Sequence, residues 1–292
     1  MTTLPSVTLN DGHSIPALGF GVGTAWSKGA TSEGTDRALV DAIKTAIKLG
    51  FTHLDGAEVY NTEHELGIAI KESQLPREKL FVTTKVFKGV TDIPKAFAAS
   101  LKKLGLDYVD LYLIHAPFFA ESSSDLQNAW KAMEEIKQSG RAKSIGVSNY
   151  APSHLASTLE KATIPPVINQ VEFHPYLQRD ELVAFHHDHG ILTEAYGPLT
   201  ALTKASPGPT DEVIARIAQK YGVSEGAVTL RWCLDQNIVA VTTSGKEERL
   251  KEYLQATTFT LSPDEIAEID REGAKKHFRG FWRQKFDAND RS

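Results

Sequence analysis

The chain has 292 residues, 41% apolar, 24% charged and 9% aromatic, with a formal charge of -5 and a pI near 6.1. This is the composition of a globular protein with a large core, and it excludes a fibrous or compositionally disordered chain. The acidic balance offers no basic footprint for nucleic acid or an anionic membrane, and no apolar run approaches a membrane span. "MTTLPSVTLNDG" has neither the apolar nor the basic region of a secretory leader, so a cytoplasmic protein with small-molecule partners is expected. The single cysteine, Cys233, sits at helical spacing in "LRWCLDQ" and reads as a small buried apolar residue, and a lone cysteine excludes an internal disulfide.

In chain order, "VTLNDGHSIPAL" (7–18) predicts a hairpin around an Asn-Asp-Gly turn that plugs one end of the fold. Then strands and helices alternate. "ALGFGV" (17–22) precedes the helix "TDRALVDAIKTAIKLG", "THLD" (52–55) precedes "EHELGIAIKES", and "LFVTTK" (80–85) precedes "IPKAFAASLKKLG". "VDLYLIH" (109–115) is followed by "DLQNAWKAMEEIKQSG", "KSIGVSN" (143–149) by "PSHLASTLEKA", and "VINQVEF" (167–173) by "RDELVAFHHDHG". "ILTEAY" (191–196), the Pro/Gly-rich loop 203–212, "DEVIARIAQKYG" and "IVAVTT" (238–243) complete the series. Gly50, Gly105, Gly140, Gly190 and Gly222 stand where helices end on a left-handed residue. Eight such units imply parallel pairing through right-handed crossovers, closed as a (β/α)8 TIM barrel that forms one domain over 1–292. The aromatic and basic tail 275–292 is read as a loop or short helix over the barrel mouth, with a disordered tail as the alternative.

In such a barrel the C-terminal strand ends face the active-site mouth. The ends here are Asp55, Lys85, His115, Ser148 with Asn149, Gln170 with Glu172, and Tyr196. Asp55 and Lys85 have a plain reading as a buried ion pair, and His115 as a core histidine; their joint occurrence at strand ends favours a site. A phenol is a poor acid at neutral pH, and an ammonium nearby lowers its pKa. Lys85 is expected to do this for Tyr60, with Asp55 anchoring Lys85 and His115 orienting the oxygen that Tyr60 protonates. That is a constellation for carbonyl reduction, and the hydride must come from a cofactor, since no side chain donates one.

The chain resembles the aldo-keto reductases over nearly its whole length, through "LDGAEVYNTEHELG", "VTTKV", "DLYLIH", "SIGVSN", "NQVEFHP" and "AYGPL" in family order. The resemblance implies a catalytic group of Asp55, Tyr60, Lys85 and His115, with Tyr60 as general acid, and NADPH (NADP+) lying extended over the mouth without a Rossmann domain. It implies that Ser148, Asn149 and Gln170 hold the carboxamide, that Tyr196 stacks on the nicotinamide, and that Gly23 and Thr24 turn near it. Gly197 and Leu199 belong to the cofactor segment. "GFGVG" is not a dinucleotide fingerprint, because its spacing is wrong and no helix opens behind it. At the adenosine end many members read Ile-Pro-Lys-Ser; here "VTTSGKEERL" puts Thr242 and Thr243 at the Pro and Lys positions. Ser244 and Arg249 are kept, and Lys246 is expected to supply a substitute charge, with a solvated helix-end lysine as its plain reading. Gly197 replaces a usual serine, and Gly56 follows the catalytic Asp where a hydroxyl or thiol is common.

The Thr-Thr-Ser-Gly-Lys variant with "AYGPL" is similar to a fungal branch acting on α-dicarbonyls: α-keto amides, α-keto esters, isatin and ketopantoyl lactone. A xylose- or glycerol-type aldehyde reductase is the alternative within the family. Outside catalysis stand an NADP(H)-binding regulatory subunit and a lens-type structural protein. Trp26, Phe87, Phe118 and Trp282, with Tyr60 and His115, are expected to form the substrate wall, and the resemblance favours a monomer. His186, His187 and His189 lack a partner at zinc-site spacing and are read as a solvated helix end, so no metal is expected; His174 is read as a turn residue.

Overall fold

Residues 4–29, 34–287 and 289–291 are described by the computed structural model. The hairpin is β1 (Ser6–Thr8) and β2 (Ser14–Pro16), paired antiparallel. The barrel strands are β3 (Leu18–Gly21), β4 (His53–Asp55), β5 (Phe81–Val86), β6 (Val109–Ile114), β7 (Ala142–Ser148), β8 (Ile168–Glu172), β9 (Leu192–Tyr196) and β10 (Val239–Thr242). All pair in parallel, and β10 closes on β3. Helices cover one side of each strand and the interior fills the other, so strands such as β5 and β6 are buried at every position.

The helices are α1 (Arg37–Leu49), α2 (Glu63–Ser73), α3 (Ile93–Leu104), α4 (Ser123–Gln138), α5 (Pro152–Leu159), α6 (Asp180–Asp188), α7 (Thr200–Thr203), α8 (Asp211–Tyr221), α9 (Glu225–Asp235), α10 (Glu247–Leu254) and α11 (Pro263–Ala274). Local signals set their limits: Asp36 caps α1 by accepting from Leu39 N–H, and Gly50 ends it at φ 113°. Helix α11 escaped the periodicity reading, although Ser262 and Glu265 form a reciprocal capping box at its start.

The hairpin seals the barrel floor as expected. Leu9 and Ile15 join Leu111, Leu113, Val167, Ile168 and Val239 in an apolar cluster, and Asn10 donates to the carbonyls of Pro166 and Gly190. The described part of the tail lies at the opposite end, as a loop. Glu172, at the end of β8, accepts from the backbone N–H of Gly280 (2.7 Å) and Phe281 (3.1 Å) and faces His174 Nε2 at 3.2 Å. Glu172 therefore ties down the tail instead of facing the mouth, and His174 is a buried partner in that tie rather than only a turn residue.

His186 also departs from expectation. It is buried between Asn169 and Thr193, at 2.9 and 2.8 Å, while His187 is exposed, so "HHDHG" is only in part a solvated end. No helix among the described residues is long and apolar enough to cross a membrane.

Candidate active site

Asp55 ends β4 and Lys85 lies one position before the end of β5, and neighbouring strands bring them together. Lys85 Nζ donates to Asp55 Oδ1 and Oδ2 at 2.6 and 2.7 Å and to Gly56 O at 2.9 Å, with the lysine fully buried. Burial alone depresses the Lys85 pKa, but Asp55, together with Tyr60 and Glu194, more than offsets it and leaves the pKa above the ordinary lysine value. The lysine remains a cation at neutral pH.

Tyr60 closes a single 3-10 turn, Glu58–Tyr60, which Asn61 ends in the left-handed region at φ 56°. Two neighbouring loops hold that turn: Glu58 Oε2 accepts from Phe87 N–H at 2.9 Å, and Lys28 N–H donates to Tyr60 O at 2.9 Å. Gly23 has a steric reason to be glycine, because a Cβ there would lie 2.7 Å from the Tyr60 ring. Tyr60 OH is 3.5 Å from His115 Nε2, and Lys85 Nζ is 5.3 Å from the phenol centroid. Burial raises the Tyr60 pKa and outweighs the lowering by Lys85, so the net shift is upward, opposite to the sequence-based expectation. His115 is held well below its ordinary pKa, by burial first and Lys85 second, and stays neutral.

Above His115 stand the aromatics. Phe87 is 5.8 Å from the His115 ring and 5.5 Å from Trp282, and Phe118 is 5.0 Å from Trp282, centroid to centroid. A cavity of about 530 Å³ runs from Asp55, Tyr60, His115 and Trp282 past Tyr196, Gly197 and Leu199 to Arg249. A second, of about 540 Å³, continues beyond Arg249 and Tyr253 to Glu225 and Glu252. The two share Leu199, Thr203, Arg249 and Tyr253 and so make one slot across the mouth.

The profile of the aldo/keto reductase family matches residues 18–273. The chain belongs to the aldo/keto reductase family. It is an oxidoreductase of carbonyl compounds that draws on a nicotinamide cofactor. It is 42% identical to an NAD/NADP-dependent indole-3-acetaldehyde reductase of Schizosaccharomyces pombe, over 92% of this chain and 96% of that one. It is 38% identical to an NADPH-dependent alpha-keto amide reductase of Saccharomyces cerevisiae, over 94% and 93%. Among solved structures, an aldo/keto reductase from Brucella melitensis superposes with TM-score 0.82 at 39% identity, covering 92% of this chain and 99% of that chain. A Bombyx mori aldo-keto reductase in complex with NADP gives 0.83 at 32%, covering 93% of each.

In this reductase Ser148, Asn149, Gln170 and Tyr196 also come together. Asn149 donates to His115 O and Ser148 Oγ and accepts from Tyr196 OH at 2.7 Å. Gln170 Nε2 donates to Asp55 Oδ2 at 2.8 Å and to Glu194 Oε2 at 2.9 Å. Glu194 and its neighbour His53, 3.5 Å away, are fully buried in the barrel interior and were not foreseen. The alternation of "LTEAY" carried the signal, since Glu194 must share a face with Tyr196.

Of the aromatics expected to form the substrate wall, Trp282 borders the slot, while Trp26, Phe87 and Phe118 are not among its lining residues. The Trp26 indole N–H donates to Thr243 Oγ1 at 3.0 Å. The reason is barrel closure: β3 and β10 are neighbours, so the loop after β3 reaches the loop after β10. Thr24 and Gly23 do line the slot near Tyr60. At the far end Ser244 Oγ accepts from Lys246 N–H at 3.0 Å, shaping the turn into α10. Lys246 is exposed and outside the slot lining, while Arg249 borders both cavities. Gly197 adopts φ 65°, and a Cβ there would lie 3.2 Å from Phe281.

Proposed function

We propose that this protein is an NADPH-preferring carbonyl reductase in which Tyr60 is the general acid, acting on compact α-dicarbonyls with a flat or apolar flank, such as isatin and α-keto amides. The observation that carries the reading is the approach of Tyr60 OH to His115 Nε2 beneath a wall of Phe87, Phe118 and Trp282. Two hydrogen-bonding groups thus converge on one spot, and Trp282, packed against Phe87 and Phe118, brings flat apolar surface to it. Such a wall suits an aryl or conjugated carbonyl better than a polyol, which needs polar partners along its length.

The cofactor's reduced nicotinamide supplies the hydride when bound. Residues fit to hold it are Gln170, whose amide oxygen receives no donor from a described residue, Tyr196 and Leu199 along the slot, and Arg249 towards the phosphate end. Tyr60 keeps its proton at neutral pH and releases it as the carbonyl oxygen gains negative charge. The Lys85 ammonium then stabilises the phenolate left behind, and Asp55 keeps that ammonium in place. Neutral His115 offers the second hydrogen bond to the oxygen without competing for the proton.

The test is NADPH and NADH oxidation with isatin, an α-keto amide, indole-3-acetaldehyde and xylose. Turnover of the first two with NADPH supports the proposal. Preference for indole-3-acetaldehyde with either cofactor would move the substrate to arylacetaldehydes, which the aromatic wall also suits. Xylose turnover alone would overturn the substrate class, and silence with all four would overturn catalysis.

A further inference from the structure

We propose that Glu194 is a positioning residue of this reductase: with Asp55 it holds both N–H groups of the Gln170 amide inside the barrel, so that only the amide oxygen is offered to the slot. Gln170 and Glu194 are register partners on β8 and β9, and both side chains enter the interior from neighbouring strands. The Gln170 amide has two N–H donors, and both are spent, one on Asp55 and one on Glu194. A flipped amide would put its oxygen against Asp55 Oδ2 and lose that bond, and it would keep the Glu194 contact only with the acid proton on Oε2. The pair of acids thus dictates the amide orientation, where Asp55 alone would leave one N–H free to turn towards the slot.

The surroundings of Glu194 agree with a neutral acid in this role. His53 and Asp55 from β4, Lys85 from β5 and Gln170 from β8 face the cluster, and Thr83 meets His53 at 3.4 Å. Burial and the Asp55 charge push the Glu194 pKa up to about 8, and burial pushes His53 down to about 4. The carboxyl accepts from Gln170 through Oε2, and its Oε1 lies 3.5 Å from His53 Nε2.

An acceptor facing the slot selects a ligand with a donor at that point. This rests on the reading of Gln170 as a contact of the nicotinamide amide. A cofactor analogue that keeps the carbonyl but replaces the amide nitrogen by methyl, the 3-acetylpyridine analogue of NADP+, should bind about tenfold more weakly, the worth of one hydrogen bond.

The experiment measures binding of NADP+ and of this analogue by protein fluorescence in the wild type, Glu194→Met and Glu194→Gln, with a thermal melt of each. Glu194→Met is expected to bring the discrimination to within about twofold, while Glu194→Gln, whose amide oxygen still accepts from Gln170, keeps it. Glu194→Thr, too short to reach the amide, replaces Glu194→Met if that variant does not fold. Full discrimination in the Met or Thr variant, or its loss in Glu194→Gln, would overturn the role of Glu194. A wild type that binds both dinucleotides equally would overturn the acceptor-only slot. One that binds neither would overturn the proposed function and this inference with it.

Discussion

The two ends of the slot are built differently. At the reacting end Lys85 is fully buried and bonded to Asp55 and Gly56, and Gln170 ties Asp55 to Glu194. At the far end Lys246 and Arg249 are exposed and the turn is shaped by one serine hydroxyl. A buried charge is kept only with its partners in place, whereas an exposed one is screened and replaceable. Substitution is therefore most costly at the buried end and cheaper at the exposed charges of the far end.

The sharpest way to break this contrast is at the reacting end. Tyr60→Phe should lower kcat by about 10²–10⁴ while leaving NADPH affinity near wild type, as loss of a general acid does; stopped-flow reduction and fluorescence titration check both halves. Gly23→Ala should come next, at roughly 10²-fold in kcat, because its Cβ would displace the Tyr60 ring from 2.7 Å and a misplacement of that order is costly. Steady-state kinetics with a melt to confirm folding measure it. At the far end Arg249→Ala should raise the KM for NADPH by only about tenfold or less and leave kcat unchanged, consistent with one exposed charge. A collapse of kcat in that variant would erase the distinction between the ends.

The smallest effect concerns pH and stability. Burial depresses the folded pKa of His53 to about 4, of His186 to about 3, and of His115 well below its ordinary value. As pH falls below 6.5, towards about 4, the unfolded chain gains protons at these three sites that the folded chain does not, so stability falls. Glu194, with its folded pKa raised to about 8, works the other way, since only the folded chain carries that proton between 4.5 and 8. With His174 also held down by burial, the buried histidines outnumber Glu194 and predict net acid destabilisation in the overlap. Denaturant titrations at pH 4.5 and 6.5 measure it, and His186→Gln should reduce the slope.

The fold was largely legible because its signals are local. Strand runs, helix periods and terminal glycines depend on neighbours in the chain, and all eight predicted barrel strands are present. The Asp55, Tyr60, Lys85 and His115 cluster was legible too, since a strand end in a parallel barrel has a known direction. The contacts of Trp26, Glu172 and Glu194 were not legible because their partners are distant: Thr243 lies 217 residues from Trp26, and Gly280 lies 108 from Glu172.

Sequence by itself determined the barrel, the family and the residues that cluster at the strand ends, because backbone propensity, side-chain alternation and strand direction are properties of short segments. Only the tertiary structure decided how those groups are set. Burial reversed the expected shift of Tyr60, closure of β10 on β3 drew Trp26 to Thr243, and neighbouring strands turned the Gln170 amide inward. Desolvation and hydrogen-bond pairing depend on which atoms surround a group in space, and these come from segments far apart in the chain.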